Sequence, residues 1–326
     1  MTQQRLDQRQ DRKNLDCLGI SSRLSHEPSY DDAVLSDRVQ TRSFRNFPVL
    51  GGKAGAKQRF QARYLAGERN FSDENLSGFD LSFLDLTAVN LANTNLSCAV
   101  LCHANLKDAN LSFANLSHAN LSFTNLSDSD LRRANLSGAN LSQANFHAAK
   151  LLMADLSNAN LSNAHISEAK LFLANLSGIN LKGAEIRDID LSNVDLSYAN
   201  LRDLDLCNLN LSKANLTNAD LSNANLKGAN FTNAILDEAK LWFADLSHAD
   251  LSDVSFQNAN LLDADLRDSL LTRANFKNAN LFDVNFEGAD GLTVRQIKTA
   301  NNWEKAFYDY NFRWLLNLSS KGLQND

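Results

Sequence analysis

Large apolar residues recur at every fifth position through the middle of the chain. From Phe71 to Phe286, all 44 positions in this register are Leu, Phe or Ile, and the register never slips. Two residues before each of them stands a residue that is Ala in most repeats, and the position between the two is Asn or Asp in most repeats. Residues 71–290 are therefore predicted to form one uninterrupted array of five-residue repeats.

A period of five fits neither regular secondary structure. An α-helix turns about 100° per residue, so every fifth side chain would be scattered around the helix. In a flat strand, an odd spacing would send successive leucines to opposite faces. Within one repeat, however, the small residue and the leucine lie two apart and share a face, so a corner in the remaining two residues lets every leucine face one axis. The pattern thus predicts a solenoid.

Substitutions that recur 20 residues apart indicate how many corners close one coil. Lys150 and Lys170 are one such pair, and Phe256 and Phe276 are another. Twenty residues correspond to four repeats, so each coil is predicted to have four sides. The array would then form about 11 coils, and at ~4.8 Å per coil the rod would be ~53 Å long.

The segments ANLSGANLSQANF and ANLTNADLSNANLKGANF resemble the repeats of pentapeptide-repeat proteins, whose consensus is A(D/N)LXX. The resemblance covers residues 71–290. It implies an all-β solenoid, namely a right-handed quadrilateral β-helix with four pentapeptides per coil and short α-helical caps at both ends.

Exposed strand edges at the ends of a coil stack would invite end-to-end association, so the flanking segments are expected to cover them. Residues 57–70 are predicted to form an N-terminal capping helix. Phe60 and Tyr64 would share one face of this helix, and Gly67 stands where it would end. Residues 1–56 show no comparable period and are predicted to be a largely disordered extension.

Residues 291–326 are predicted to be a C-terminal cap made of two helices. Thr293 and Gln296 have capping-box spacing, and the segment NWEKAFYD is similar to the tails of cyanobacterial members of the family. Four aromatic residues at helical intervals are expected to plug the end of the stack: Trp303, Phe307, Tyr310 and Trp314.

Charge and cysteine content indicate the cellular compartment of the protein. The 326-residue chain has a net charge of −6, but residues 71–290 carry 27 acidic and 14 basic residues. Four cysteines without a C-x-x-C pair favour a reducing compartment. The sequence shows neither the apolar core of a signal peptide nor a run of ~18 apolar residues, so a cytoplasmic protein without membrane contact is expected.

Candidate chemistry is sparse. The histidines of the array share no 20-residue phase, so no metal site is expected. A regular solenoid offers no pocket in which a nucleophile, its base and an oxyanion site could meet. The stretch GGKAGAK departs from the spacing of a phosphate-binding loop. The sequence therefore predicts a protein that is not an enzyme and that uses no cofactor.

Three repeats carry large apolar residues at outward positions where most repeats have Ser and a variable residue. They are AKLLMADL, AKLFLANL and AKLWFADL. Exposed apolar clusters often mark protein contacts, so a noncatalytic protein–protein interaction scaffold with an unidentified protein partner is predicted. The predicted contact residues are Leu152, Met153, Phe172 and Leu173 in a first patch, and Trp242, Phe243, Leu262 and Phe282 in a second.

Two uses remain open for the second patch. Either the C-terminal helices fold back over it, or it mediates a homodimer through the C-terminal region or binds a partner. The first patch lies too far along the rod for a terminal cap to reach, so a partner is expected there.

The alternative function is DNA mimicry. The family resemblance implies it, because some pentapeptide-repeat proteins imitate B-DNA in width and charge and bind the topoisomerase DNA gyrase, which protects it from quinolones. B-DNA of ~53 Å would carry about 31 negative charges, whereas the array has a net charge of −13. A continuous acidic stripe would favour mimicry and an interrupted one a scaffold, and no direct nucleic acid binding is expected.

Overall fold

The chain winds into a four-sided coil that repeats every 20 residues. A computed structural model describes residues 52–317, with side chains from residue 58 onward. Parallel β-bridges join residues 20 apart, beginning with Asn70 to Asn90 and continuing through Leu270 to Asp290. The four repeats of one coil each contribute one bridge, so each side of the rod is a stack of single bridges. This spacing confirms the predicted coil length.

A tight turn forms the corner within each repeat. In a representative repeat, the amide of Ala119 donates to the carbonyl of Leu116 at 3.0 Å. The residue between them in the third position of the turn, His118, has a φ of 56°. A positive φ at this position is typical of a type II turn. The corner predicted from the period of five is therefore present.

Side chains of the repeat fill the axis of the rod. The leucines and alanines of the array are almost all buried, and Phe146 and Phe231 take the place of leucine at full burial. Each buried leucine stabilises the fold by on the order of 2 kcal/mol. Where Thr replaces Ala, its hydroxyl is satisfied internally, since Thr124 Oγ1 donates to the carbonyl of Leu101 at 2.8 Å.

The Asn or Asp between Ala and Leu is half-buried in most repeats and forms hydrogen bonds in two directions. Asn110 Nδ2 donates to Asn90 Oδ1 in the preceding coil at 3.1 Å. Asn110 Oδ1 accepts from the amide of Ser112 at 3.1 Å. Short amide and carboxylate side chains suit this local bond to the backbone, which explains why either residue is accepted. In these repeats the position thus holds a short side chain that bonds to the backbone of the following turn.

Helix α1 (Gly52–Leu65) precedes the first coil. It begins and ends about a turn earlier than the predicted 57–70, so residues 52–56, which were assigned to the extension, are helical although two of them are glycine. Phe60 is buried, with its ring centroid 4.4 Å from that of Phe71. Gly67, at a φ of 93°, donates to the carbonyl of Tyr64 at 3.0 Å and ends the helix as expected.

Three short helices follow the array: α2 (Val294–Ile297), a 3₁₀-helix (Trp303–Lys305) and α3 (Tyr310–Leu315). The predicted capping box between Thr293 and Gln296 is formed at the start of α2. Between the helices, Asn301 and Phe307 bridge to Asn280 and Asn285, so the chain continues the coil as an irregular turn. None of the helices in residues 52–317 is long and apolar enough to cross a membrane.

The aromatic plug differs from the predicted one. Tyr308 is buried and stacks on Phe286 at 5.5 Å between ring centroids, and burial raises the pKa of its phenol. Tyr310 and Trp314 are instead 81% and 74% exposed. The prediction assumed one helical period, but the bridge at Phe307 places its neighbours in extended geometry and directs Tyr308 inward.

The stack of bridges is interrupted once between residues 70 and 290, where Glu185 does not pair with Asp205. In the neighbouring coils the small inner position holds larger residues, namely Ile189, Leu204 and Leu209. An apolar void of about 20 Å³, lined by leucines and isoleucines from residues 151 to 211, lies at the same level. The larger side chains at this position therefore coincide with the missing bridge and with the void.

The corner geometry generates a prediction for Asn233, an exposed residue with a φ of 61°. Replacing it with Val should lower stability by roughly 1–2 kcal/mol, because a β-branched residue clashes with its own backbone in the left-handed region. Asn233→Gly should cost clearly less. Denaturant unfolding followed by circular dichroism measures both, and a Val variant as stable as the Gly variant would contradict the assigned turn.

Candidate functional site

Residues 20 apart stack into columns along the rod, and two neighbouring columns are apolar at one corner. The amide of Met153 donates to the carbonyl of Phe172 at 3.1 Å, which places the two repeats in adjacent coils. Met153, Phe172 and Leu173 are 44%, 49% and 44% exposed. Leu152 is half-buried, not exposed as expected. We call these four residues the apolar corner.

The same corner extends over two further coils that the sequence reading missed. The column of Met153 and Leu173 continues through Arg133 to Phe113, which is 54% exposed. The guanidinium of Arg133 lies 5.6 Å from the ring centroid of Phe113, a cation–π distance. The 20-residue spacing would have found both residues, had the third position of every repeat been compared along the chain.

Basic side chains line the side of the rod that leads into the apolar corner. Lys150 and Lys170 are exposed and bridge to each other through their backbones. One coil earlier, Arg132 Nη2 donates to Asp130 Oδ2 at 2.5 Å. The Arg132 guanidinium holds the pKa of Asp130 below its usual range, with a smaller contribution from Lys150. The corner is thus apolar with a basic margin, although the array as a whole is acidic.

The second predicted patch lies two corners away and nearer the C-terminus. Phe243 and Phe282 are 57% and 39% exposed, so the described helices do not bury them. Trp242 and Leu262 are half-buried, not exposed as expected. The indole Nε1 of Trp242 is buried and finds no acceptor among the described residues. We call these four residues the C-terminal ladder.

A third aromatic column near the N-terminus was not anticipated. The rings of Phe83, His103 and Phe123 stack in successive coils, with centroid distances of 4.9 and 4.6 Å. Phe83 is 73% exposed and Phe123 is 47% exposed. The signal was again the 20-residue spacing, which joins three repeats that look unrelated when they are read one at a time.

Polar chemistry is limited on the described part of the rod. No group of three or more His, Cys, Asp or Glu side chains in this part is placed to hold a metal ion. His165 Nδ1 lies 2.9 Å from Glu185 Oε2 in the next coil, in an exposed pair. Burial raises the pKa of the Cys102 thiol, which disfavours the nucleophilic thiolate. These groups lie at separate levels of the rod and take part in single contacts.

A family profile described as pentapeptide repeats matches eight copies in the array. The matched residues include 85–122, 109–147, 124–163, 139–178, 174–212, 214–253 and 249–288. Pentapeptide-repeat proteins form right-handed quadrilateral β-helices. No curated protein sequence matches the chain.

Several solved structures are similar. HetL, a pentapeptide-repeat protein involved in heterocyst differentiation regulation from the cyanobacterium Nostoc sp. strain PCC 7120, is 33% identical over 72% of this chain and 98% of its own, with a TM-score of 0.28. Rfr23 from the cyanobacterium Cyanothece 51142 is 32% identical over 40% of this chain and 97% of its own, with a TM-score of 0.23. QnrB1, a plasmid-mediated fluoroquinolone resistance protein, is 17% identical over 74% of this chain and 93% of its own, with a TM-score of 0.22.

The Arg132–Asp130 contact at the margin of the corner can be tested by titration. We expect Arg132→Gln to raise the pKa of Asp130 towards its ordinary value of about 3.9, because the charged hydrogen bond that favours the carboxylate is removed. Carboxyl ¹³C NMR measures this pKa. Arg267→Gln, which removes the equivalent contact with Asp265, is the matched control and should leave Asp130 unchanged. An unaltered pKa in the Arg132 variant would show that the contact does not form in solution.

Proposed function

Because the chain belongs to the pentapeptide-repeat family, we propose that it is a noncatalytic rod that binds another protein through the apolar corner. Proteins of this family are generally structural or interaction proteins without enzymatic activity. The observation that carries the proposal is the exposure of Met153, Phe172 and Leu173 in adjacent coils. Contiguous apolar side chains in water often mark a protein contact, and aromatic residues are favoured anchors of binding energy.

The rod in this proposal has about 11 coils and a helical cap at each end. Support comes from the 44 unbroken anchor positions, at four to a coil. At the first coil, α1 covers Phe71 with Phe60. At the last coil, Ile297 and Tyr308 are buried against the stack. Covered ends restrict association to the sides of the rod, since open bridge edges would otherwise pair with other chains.

The position of the apolar corner separates it from both caps. Several coils lie between Leu152 and either end of the array, so terminal helices would not reach it. The C-terminal ladder is closer to the end, and the exposure of Phe243 and Phe282 supports its use in a homodimer. We place the protein in the cytoplasm, where unpaired cysteines remain reduced.

The distribution of charge favours a scaffold over DNA mimicry. Acidic side chains along the rod are paired with basic ones in several coils, as in Lys107 with Asp128, Lys240 with Asp220 and Arg267 with Asp265. Lys150 and Lys170 add a basic segment to one side, between Asp130 and Asp190 of the same column. A DNA mimic would need a nearly continuous row of negative charge, because the duplex carries one charge per ~1.7 Å.

The contact role predicts that Phe172→Ser with Leu173→Ser abolishes one specific association. Both side chains already face water, so the β-rich circular dichroism should stay unchanged while the apolar contact is lost. Affinity capture with quantitative mass spectrometry, together with sedimentation of the purified chain, reads out the partner and the oligomeric mass. Phe83→Ser, at another exposed aromatic residue, is the matched control. Unchanged partners and unchanged mass in the double variant would refute the proposal.

If the protein is a scaffold and not a DNA mimic, it should have no effect on DNA gyrase. The purified protein should leave gyrase supercoiling, and its inhibition by a quinolone, unaltered across the micromolar range. A gel assay of plasmid supercoiling measures both. Dose-dependent protection from the quinolone would favour mimicry instead.

A further inference from the structure

We propose that the partner segment bound by the apolar corner is an acidic amphipathic helix that lies along the axis of the rod. This inference rests on the proposed function and names the chemistry of its partner. It is carried by two features of the corner: the sign of the charges around the apolar side chains, and the spacing of the columns.

The charge around the apolar corner is opposite to that of the rod. Of the 14 basic residues in the array, four lie at this corner or on the side that leads into it: Arg132, Arg133, Lys150 and Lys170. Asp130 and Asp190 flank the two lysines in the same column, and Asp130 is already bonded to Arg132. Lys150 and Lys170 form no ion pair with any of the described carboxylates. Two exposed cations are therefore available to a carboxylate-bearing partner.

Negative charge on the rest of the array makes the corner selective for an acidic segment. The remaining array carries an excess of Asp and Glu, so an acidic segment is repelled along most of the rod. At the corner it gains attraction from the lysines and burial of Met153, Phe172 and Leu173. Electrostatic complementarity of this kind sets register and rejects wrong partners more than it adds affinity.

The spacing of the columns matches a helix better than a strand. Side chains in one column are separated by one coil, or ~4.8 Å, so three of them span ~9.6 Å. Apolar residues at i, i+3 or i+4, and i+7 of an α-helix span about 10.5 Å. Three side chains on one face of a strand span about 13 Å and would lose register. From Phe113 to Leu173 the column covers ~14 Å, which corresponds to about ten helical residues.

The test uses two synthetic helices of about 14 residues, held helical by a side-chain lactam because isolated helices of this length are marginal. Both peptides carry three Leu residues on one face, at positions i, i+3 or i+4, and i+7. They differ only at the flanking positions, which hold Glu in one peptide and Lys in the other. Fluorescence anisotropy measures their binding to the full-length protein. We expect the Glu peptide to bind at least about ten-fold more tightly than the Lys peptide, and raising the salt concentration to narrow the difference.

Charge reversal assigns the binding to the corner. Lys150→Glu with Lys170→Glu should weaken the Glu peptide by at least about ten-fold. Lys227→Glu with Lys277→Glu makes the same change in net charge at exposed lysines in other columns and should alter binding by less than about two-fold. If circular dichroism shows that the reversed variant is misfolded, Lys150→Gln with Lys170→Gln provides the same comparison with a smaller expected loss.

Equal affinity for the two peptides would overturn the inference, as would equal losses in the two charge-reversed variants. Concentration-dependent self-association that disappears in the Lys150→Glu, Lys170→Glu variant would also overturn it, in favour of a second copy of the chain as the occupant. A captured partner that is lost with the Phe172 and Leu173 variants but retained with the lysine variants would leave the proposed function standing and reject only the acidic helix.

Discussion

Every fifth side chain of this protein must reach one common axis, and the rest of the structure depends on that constraint. It requires a corner in each repeat, and the corner requires a residue with positive φ, such as His118 at 56°. In nearly every repeat of the array a non-glycine residue adopts this conformation, which costs conformational free energy. The cost is offset because each turn delivers a leucine to the axis and a backbone bridge to the next coil.

The same constraint converts distance along the chain into position on the surface. Residues 20 apart become neighbours, so substitutions in separate repeats combine into columns such as Phe83, His103 and Phe123. The interior tolerates few changes, since larger residues such as Leu204 coincide with a void and a missing bridge. Outward positions are free of that demand. A surface of chosen chemistry can therefore be placed at any level of the rod, and the apolar corner with its lysines is one example.

The polar position between Ala and Leu links the interior to the surface. Asn110 bonds both to its own turn and to the preceding coil, so it stabilises the corner and ties adjacent coils together. Because the carboxylate of Asp can accept the same turn bond, charge can vary at this position while the fold is preserved. Lys150 and Lys170 occupy the same position although an ammonium group cannot accept the turn bond, and their corners still form, with φ of 56° at Met153 and 58° at Leu173.

The sequence by itself determined the solenoid and the coil of 20 residues, because a strict period leaves one solution for the backbone. Only the tertiary structure decided what each outward side chain meets. Leu152, Trp242 and Leu262 are half-buried, because exposure depends on the residues one coil above and below. The ends of the rod also escaped the sequence reading. Where the period stops, Tyr308 and not Trp314 packs on the last coil, since a bridge at Phe307 overrides the helical pattern.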